Sequence, residues 1–323
     1  MNHPNEFYLP IAGDVLPRYA GIATFMRLPH IPPEQADEVQ IGIVGVPWDG
    51  GTTNRPGARH GPRQMRDLST MVRNANHATL IEPFRLSRCA DMGDSPTNPV
   101  DIEDTLERVQ GFFSQLVERD ILPLAAGGDH LVTLPIMRAL CTSEPCAMVH
   151  FDAHTDTLDR YFGESKYTHG TPFRRAIEEG LLDPKKIIQI GIRGGLYSAS
   201  DKDWGLEQGI RVIEIEEFFD IGVDAVVAEA HRIVGDTPCY VSFDVDALDP
   251  VYAPGTGTPE IGGITTAQAQ QMLRGLRGMN FIGGDVVEVS PPFDPSGNTA
   301  LVGVTMMFEM LCLFSEHLAN TKK

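Results

Sequence analysis

Strand-length runs of apolar and β-branched residues recur along the chain, at 40–47 (QIGIVGVP), 86–90, 121–126 (ILPLAA), 147–151, 186–192 (KIIQIGI), 210–215, 239–243 and 281–289. Several are continuous rather than alternating, the pattern of strands covered on both faces. Helix-patterned segments fall between them, at 104–118, 131–140, 171–181, 225–234, 265–276 and 301–319. This alternation predicts an α/β fold: three layers, α/β/α, around a mostly parallel sheet of about eight strands joined by right-handed crossovers. Residues 1–38, broken by Pro10, Pro17, Pro29, Pro32 and Pro33, read as an irregular N-terminal arm, and residues 39–323 as a single domain.

In such a sheet, ligands gather beyond the carboxyl ends of the strands. Three of the apolar runs are followed at once by polar residues that can do chemistry: Gly127-Gly128-Asp129-His130, Asp152-Ala153-His154-Thr155-Asp156 and Asp244-Val245-Asp246. Residues two apart in extended chain point to the same side, so Asp152, His154 and Asp156 can converge, as can Asp244 and Asp246. With His130 they make a set of two imidazoles and four carboxylates. Unpaired, the carboxylates would repel and partly protonate; divalent cations would keep them ionised. Imidazole and carboxylate without thiolate suits Mn²⁺ better than a structural zinc. Six ligands are enough for two metal ions roughly 3.5–4 Å apart with room for a bridging hydroxide. Asp129 reads instead as a helix N-cap, and His3, His30, His60, His77, His150, His231 and His317 as packed or solvated side chains.

Composition narrows the partners. The chain has 44 Asp+Glu against 26 Lys+Arg, a formal charge of −18, which argues against nucleic acid and anionic membrane as partners. No run reaches the roughly 18 apolar residues of a membrane span, and the polar N-terminus has no signal-peptide pattern. The five cysteines show no CxxC spacing and read as reduced thiols of a cytoplasmic protein.

The three strand-end motifs, together with Ser242-Phe243-Asp244-Val245-Asp246-Ala247-Leu248-Asp249-Pro250 and Ala253-Pro254-Gly255-Thr256-Gly257, resemble the signatures of the ureohydrolase (arginase/agmatinase) superfamily over nearly the whole chain. The resemblance implies an arginase-like fold and two Mn²⁺ per subunit. One ion would be held by His130, Asp152, Asp156 and Asp244, the other by Asp152, His154, Asp244 and Asp246. It also implies that Asp156 shuttles a proton from hydroxide to the leaving nitrogen, that Glu288 grips the guanidinium, and that His169 relays protons at the site mouth. A homo-oligomer, trimer or hexamer, is expected on the same ground.

The tail of the substrate would be read by residues 49–63 and 157–167, which contain Arg55, Arg59, Arg160, Tyr161 and Lys166 but also Asp49, Asp159 and Glu164. Charge counting does not choose between a carboxylate and an amine. The Pro47-Trp48-Asp49-Gly50-Gly51 and Asp159-Arg160-Tyr161-Phe162-Gly163 stretches resemble guanidino-acid hydrolases more than arginases. The expected substrate is therefore a linear guanidino acid, 3-guanidinopropionate or 4-guanidinobutyrate, with Arg55 and Tyr161 as binding residues. Agmatine is the runner-up; a formimino or amide C–N bond, or a non-catalytic subunit, are the remaining alternatives.

Overall fold

The computed structural model describes residues 6–321; His3 and the rest of 1–5 at the start of the expected arm lie outside the described residues. The strands are β1 (Ile41–Gly45), β2 (Cys89–Asp94), β3 (Leu122–Ala126), β4 (Cys146–Phe151), β5 (Leu182–Ile192), β6 (Arg211–Glu214), β7 (Cys239–Asp244) and β8 (Phe281–Val287). They form one parallel eight-stranded sheet in the order β2-β1-β3-β8-β7-β4-β5-β6. The helices are α1 (Gly61–Leu68), α2 (Pro83–Leu86), α3 (Ile102–Val117), α4 (Thr133–Leu140), α5 (Pro172–Glu178), α6 (Asp203–Gln208), α7 (Ile215–Val234), α8 (Thr266–Gly275) and α9 (Asn298–Thr321).

The continuous apolar runs are explained by two cores, one on each face. Ile41, Ile43, Val149, Val241 and Phe243 pack with Phe218 of α7, Leu273 of α8 and Met310 of α9. The alternate positions Val44, Ala125, Met148 and Tyr240 pack with Phe113 of α3, Met137 of α4 and Phe173 of α5. Each large side chain so buried contributes roughly 1.5–3 kcal/mol. Local signals set the helix starts: the Asp101 carboxylate accepts the Asp104 amide at 3.0 Å ahead of α3, and Thr265 with Gln268 forms a capping box ahead of α8.

Four expectations need correction. The run at 86–90 is not all strand: Leu86 ends α2, whose Pro83 sits at the first helical position, and β2 begins at Cys89. The helix expected at 225–234 starts earlier, at Ile215, and is interrupted at Gly222, where φ is +79°. Cys141 and Cys146 are joined as a disulfide, with Cα atoms 5.9 Å apart, because the turn from α4 to β4 brings them together; Cys89, Cys239 and Cys312 are free and buried. Helix α9 has the length and apolarity of a membrane span, but 72% of its apolar window is buried within the fold, which makes it a core helix.

Candidate metal centre and substrate cavity

The carboxyl ends of β3, β4, β7 and β8 lie side by side, and the chain leaves each of them through a tight turn. After β3, Gly128 passes so close to the preceding loop that a Cβ there would sit 1.6 Å from the Trp48 carbonyl oxygen, which restricts the position to glycine. Asp129 caps the turn, accepting the Leu131 amide at 3.0 Å, and its other oxygen accepts the Gly51 amide at 2.6 Å. It is fully buried; burial and the nearby Glu288 charge push its carboxyl up to about 7. Asp156 and Glu288 both adopt left-handed backbone, φ +52° and +62°.

Two donor sets converge. Around His130 Nδ1 stand Asp156 Oδ2 at 3.0 Å, Asp152 Oδ2 at 3.1 Å and Asp244 Oδ2 at 3.3 Å. Around His154 Nδ1 stand Asp246 Oδ2 at 3.2 Å and Asp152 Oδ1 at 3.3 Å. Asp152 therefore offers one oxygen to each set. Asp244 joins the first through Oδ2, while its Oδ1 accepts the Asp246 amide at 2.8 Å. The His130 Nδ1 atom is buried with no hydrogen-bond partner, and its Nε2 is held by Ser242 Oγ at 2.8 Å, which in turn donates to Asp285 at 2.7 Å. Nδ1 thus faces three carboxylate oxygens, a position that takes either a proton or a divalent cation.

The electrostatics agree. Burial alone would lower the His130 pKa, yet Asp152, Asp156 and Asp244 hold it well above the usual imidazole value. Burial, with the charges of Asp246 and Asp152, pushes the Asp244 carboxyl well above its usual range. For Asp152 burial acts upward, but His150, His130 and His154 pull it well below. A cluster of like charges in this state is satisfied by protons or by cations.

Glu288 stands next to the His130 turn. Its Oε1 accepts the His130 amide at 3.0 Å and bonds His169 Nδ1 at 2.9 Å, while Oε2 is buried without a partner. His169 Nε2 faces Thr53, with the hydroxyl at 2.8 Å and the amide at 3.2 Å, and Nδ1 carries the proton shared with the Glu288 carboxylate. Burial lowers the His169 pKa, but Glu288, Asp156 and Asp129 outweigh it and raise the value to about 9.

A cavity of about 590 Å³ opens over these groups, lined among others by Arg55, His154, Asp156, Tyr161, His169 and Tyr197. Tyr161 lies over Gly170, whose Cβ would meet its hydroxyl at 3.1 Å; burial, then Asp156 and Tyr197, raises its pKa. The loop charges that sequence could not sort are sorted by pairing. Arg59 binds Asp49, and Arg160 binds Asp159 and Glu164 at the surface. Lys202 on the cavity wall binds Glu214. Arg193 is saturated by the carbonyls of Gly191, Asp246, Ala247, Leu248 and Glu260. Arg55 alone among the cavity-lining cations has no hydrogen-bond or ion-pair partner among the described residues; its guanidinium lies 3.8 Å over the Phe293 ring. Thr53 lies in the 49–63 segment expected to read the substrate, whereas Arg193 and Tyr197 carried no motif, and only the fold shows that they belong here.

A parallel sheet whose strand ends gather two imidazoles and four carboxylates under an open cavity is the arrangement of the binuclear ureohydrolases. The chain matches the Arginase family over residues 39–312 and belongs to it. It is 60% identical over 317 residues to the guanidinopropionase of Pseudomonas aeruginosa, covering 98% of this chain and 99% of that one. It is 46% identical to the guanidinobutyrase of the same organism, covering 95% and 97%. The solved proclavaminate amidinohydrolase of Streptomyces clavuligerus superposes with a TM-score of 0.89 at 38% identity, covering 93% of this chain and 99% of that one. The chain is accordingly a hydrolase of guanidino C–N bonds.

Proposed function

We propose that the chain hydrolyses a linear guanidino acid, 3-guanidinopropionate or 4-guanidinobutyrate, to urea and the corresponding amino acid, using two Mn²⁺ ions. His130, Asp152, Asp156 and Asp244 would hold one ion and Asp152, His154, Asp244 and Asp246 the other. Bound there, the two ions would supply an activated water at neutral pH, which the poorly electrophilic guanidinium carbon requires. Glu288 offers its unpartnered Oε2 to the planar guanidinium, a charge-assisted hydrogen bond that orients the substrate beside the candidate metal ligands. Asp156, facing both His130 and the cavity, receives the proton of the attacking water and returns it to the departing nitrogen. His169 keeps Glu288 Oε1 occupied and stands at the cavity wall, where its imidazole can exchange protons with the leaving amine.

The observation that carries the substrate class is Arg55, whose forked donors are unspent on the cavity wall and match a carboxylate tail. The agmatine reading is favoured instead by Asp201 and Glu260 on the same wall. Urea release from 3-guanidinopropionate, 4-guanidinobutyrate, agmatine and arginine, each with added Mn²⁺, tests the proposal. The expected order places the two guanidino acids at least tenfold above agmatine in kcat/KM; agmatine first would overturn it, and no urea from any of them would overturn the guanidine chemistry itself. A cytoplasmic homo-oligomer is the expected state of the working enzyme.

A further inference from the structure

Beneath the metal cluster a row of buried polar residues crosses the sheet. The register pairs Asp285 on β8 with Ser242 on β7, Ser242 with His150 on β4, and His150 with Gln189 on β5. All four are at most 1% exposed. Four polar side chains side by side in a sheet interior are costly unless satisfied, and of their side-chain atoms only Gln189 Oε1 lacks a partner among the described residues, so their connections show what they are for.

The Asp285–Ser242 half ends on His130. The other half ends on Asp152. Gln189 Nε2 lies 2.6 Å from the Thr155 carbonyl and 3.1 Å from His150 Nδ1. The reverse amide orientation would set two carbonyl oxygens against each other at the shorter of these contacts, so the NH₂ group faces both partners. One of its hydrogens goes to Thr155 and the other to the Nδ1 lone pair. His150 must then carry its proton on Nε2, and it donates to Asp152 Oδ2 at 2.8 Å. The ring is wedged by Phe173, with centroids 4.5 Å apart, and by His130 at 5.1 Å. Although His150 Nε2 lies within reach of the His130 and Asp152 donor atoms, both of its nitrogens are engaged, so it is not itself a ligand.

We propose that Gln189 and His150 form a positioning relay that fixes Asp152 so that its two oxygens serve different metal ions. The inference rests on the metal reading above. Asp152 Oδ1 accepts the His154 amide at 2.6 Å and Oδ2 accepts His150, which leaves each oxygen a lone pair, one directed into each donor set. Gln189 restrains the same ligand loop a second time through Thr155. Without the His150 donor, Asp152 could rotate toward His130 or His154 and give up its shared position.

The test compares His150→Gln, which keeps a donor at the Nε2 position, with His150→Met, which fills the space without one. Mn²⁺ stoichiometry and affinity are measured by competition with a chelating indicator, and the coupling of the two ions by electron paramagnetic resonance. Groups that orient metal ligands typically change affinity about 10- to 100-fold when removed. His150→Met should lose that much affinity and show uncoupled Mn²⁺, whereas His150→Gln should stay within a few-fold of wild type with the coupled signal. Equal affinity for His150→Met and wild type would overturn the relay. So would equal losses in both variants, since ring packing alone would then explain them. If His150→Met does not fold, Gln189→Met serves: a thioether cannot donate to Thr155 or to Nδ1, so nothing holds the His150 proton on Nε2, and unchanged Mn²⁺ affinity there also overturns the proposal. Wild-type protein that takes up fewer than two equivalents would overturn the metal reading, and the relay with it.

Discussion

Replacing Arg55 by Met removes the guanidinium that lies over the Phe293 ring, the one cavity-lining cation with unspent donors among the described residues, while keeping a stem of similar length. The magnitude follows from the geometry. At 4 Å a carboxylate and a guanidinium attract by about 4 kcal/mol at an effective dielectric of 20 and about 1 kcal/mol in bulk water. Arg55 is half-buried at an open mouth, so the pair lies between these limits, near the roughly 1.5–3 kcal/mol measured for hydrogen bonds to charged groups. With tenfold per 1.4 kcal/mol, kcat/KM for 3-guanidinopropionate should fall about 10- to 150-fold, mainly through KM because the tail does not change charge during the reaction. Arg55→Lys should recover part of the loss, since a lysine keeps the charge but not the fork or the stacking. Agmatine should be hydrolysed no worse by Arg55→Met than by wild type, and Mn²⁺ content should be unchanged. The assay is urea release under initial-rate conditions with both substrates at fixed ionic strength. A kcat/KM for both guanidino acids within twofold of wild type would refute the assignment of Arg55 to the substrate carboxylate.

Other consequences are as direct. Asp244→Ala removes an oxygen from the His130 set and the cap on Asp246, so Mn²⁺ affinity should fall by more than the about 100-fold expected for an outer partner, with activity lost; near-normal occupancy by metal analysis would show that Asp244 is misassigned. Gly257→Ala places a Cβ 3.5 Å from Glu288 Oε2 and 3.3 Å from the Arg55 carbonyl, so KM should rise several-fold at unchanged Mn²⁺ content, and an unaltered KM would remove Gly257 from the substrate path. For chelator-treated protein, His130 and Asp244 both have folded-state pKa values raised above their ordinary values. Their proton-linked stability is fully present below the unfolded values and is lost as pH rises through the folded ones. The metal-free Tm should therefore fall as pH rises above about 6.5, the ordinary imidazole value, whereas added Mn²⁺, which needs deprotonated ligands, should raise Tm more at the higher pH; a metal-free Tm that increases as pH rises past that value would contradict the crowded-carboxylate picture.

Much of this was legible in the sequence, and the part that was not has a common cause. Continuous apolar runs identified the buried parallel strands, because a strand covered on both faces has no polar side to blur its ends. The ligands could be read because each stands immediately after such a run, where direction and side are fixed by the strand. Elements whose limits depend on single residues were harder: α2 begins at a proline inside an apolar stretch, and α7 continues on both sides of Gly222. The Cys141–Cys146 pair depends on how α4 turns into β4 and leaves no spacing signal. The sequence set His154 among the ligand candidates and His150 among the packed side chains, but that His150 is occupied at both nitrogens depends on Gln189 from 39 residues away, a partnership no local motif records. Arg55 was one of several loop cations until the pairing of Arg59 with Asp49 and of Arg160 with Asp159 and Glu164, and the exposed position of Lys166 off the cavity wall, set it apart.

The same contrast divides the site into a locked part and an adjustable one. Asp156 and Glu288 hold left-handed backbone that costs of order 1–3 kcal/mol at each non-glycine position, and such strain persists only where the surroundings over-determine it. Around Glu288 they do. Its amide bonds the Gly128 carbonyl at 2.8 Å, its Oε1 is fixed by His130 and His169, and Gly128 has no room for a side chain. The unpartnered atoms His130 Nδ1 and Glu288 Oε2 lie within this rigid zone, where a displaced group has nowhere to relax. Arg55 and Tyr161 are placed differently: Arg55 rests on one ring, and Tyr161 sits in a short loop closed by its pairing with Ser165. Changes there cost little structure. Substrate preference within this fold can therefore shift through loop residues while the metal chemistry stays fixed, and the reverse, a change of chemistry at constant tail specificity, would have to break the strained and fully engaged strand ends.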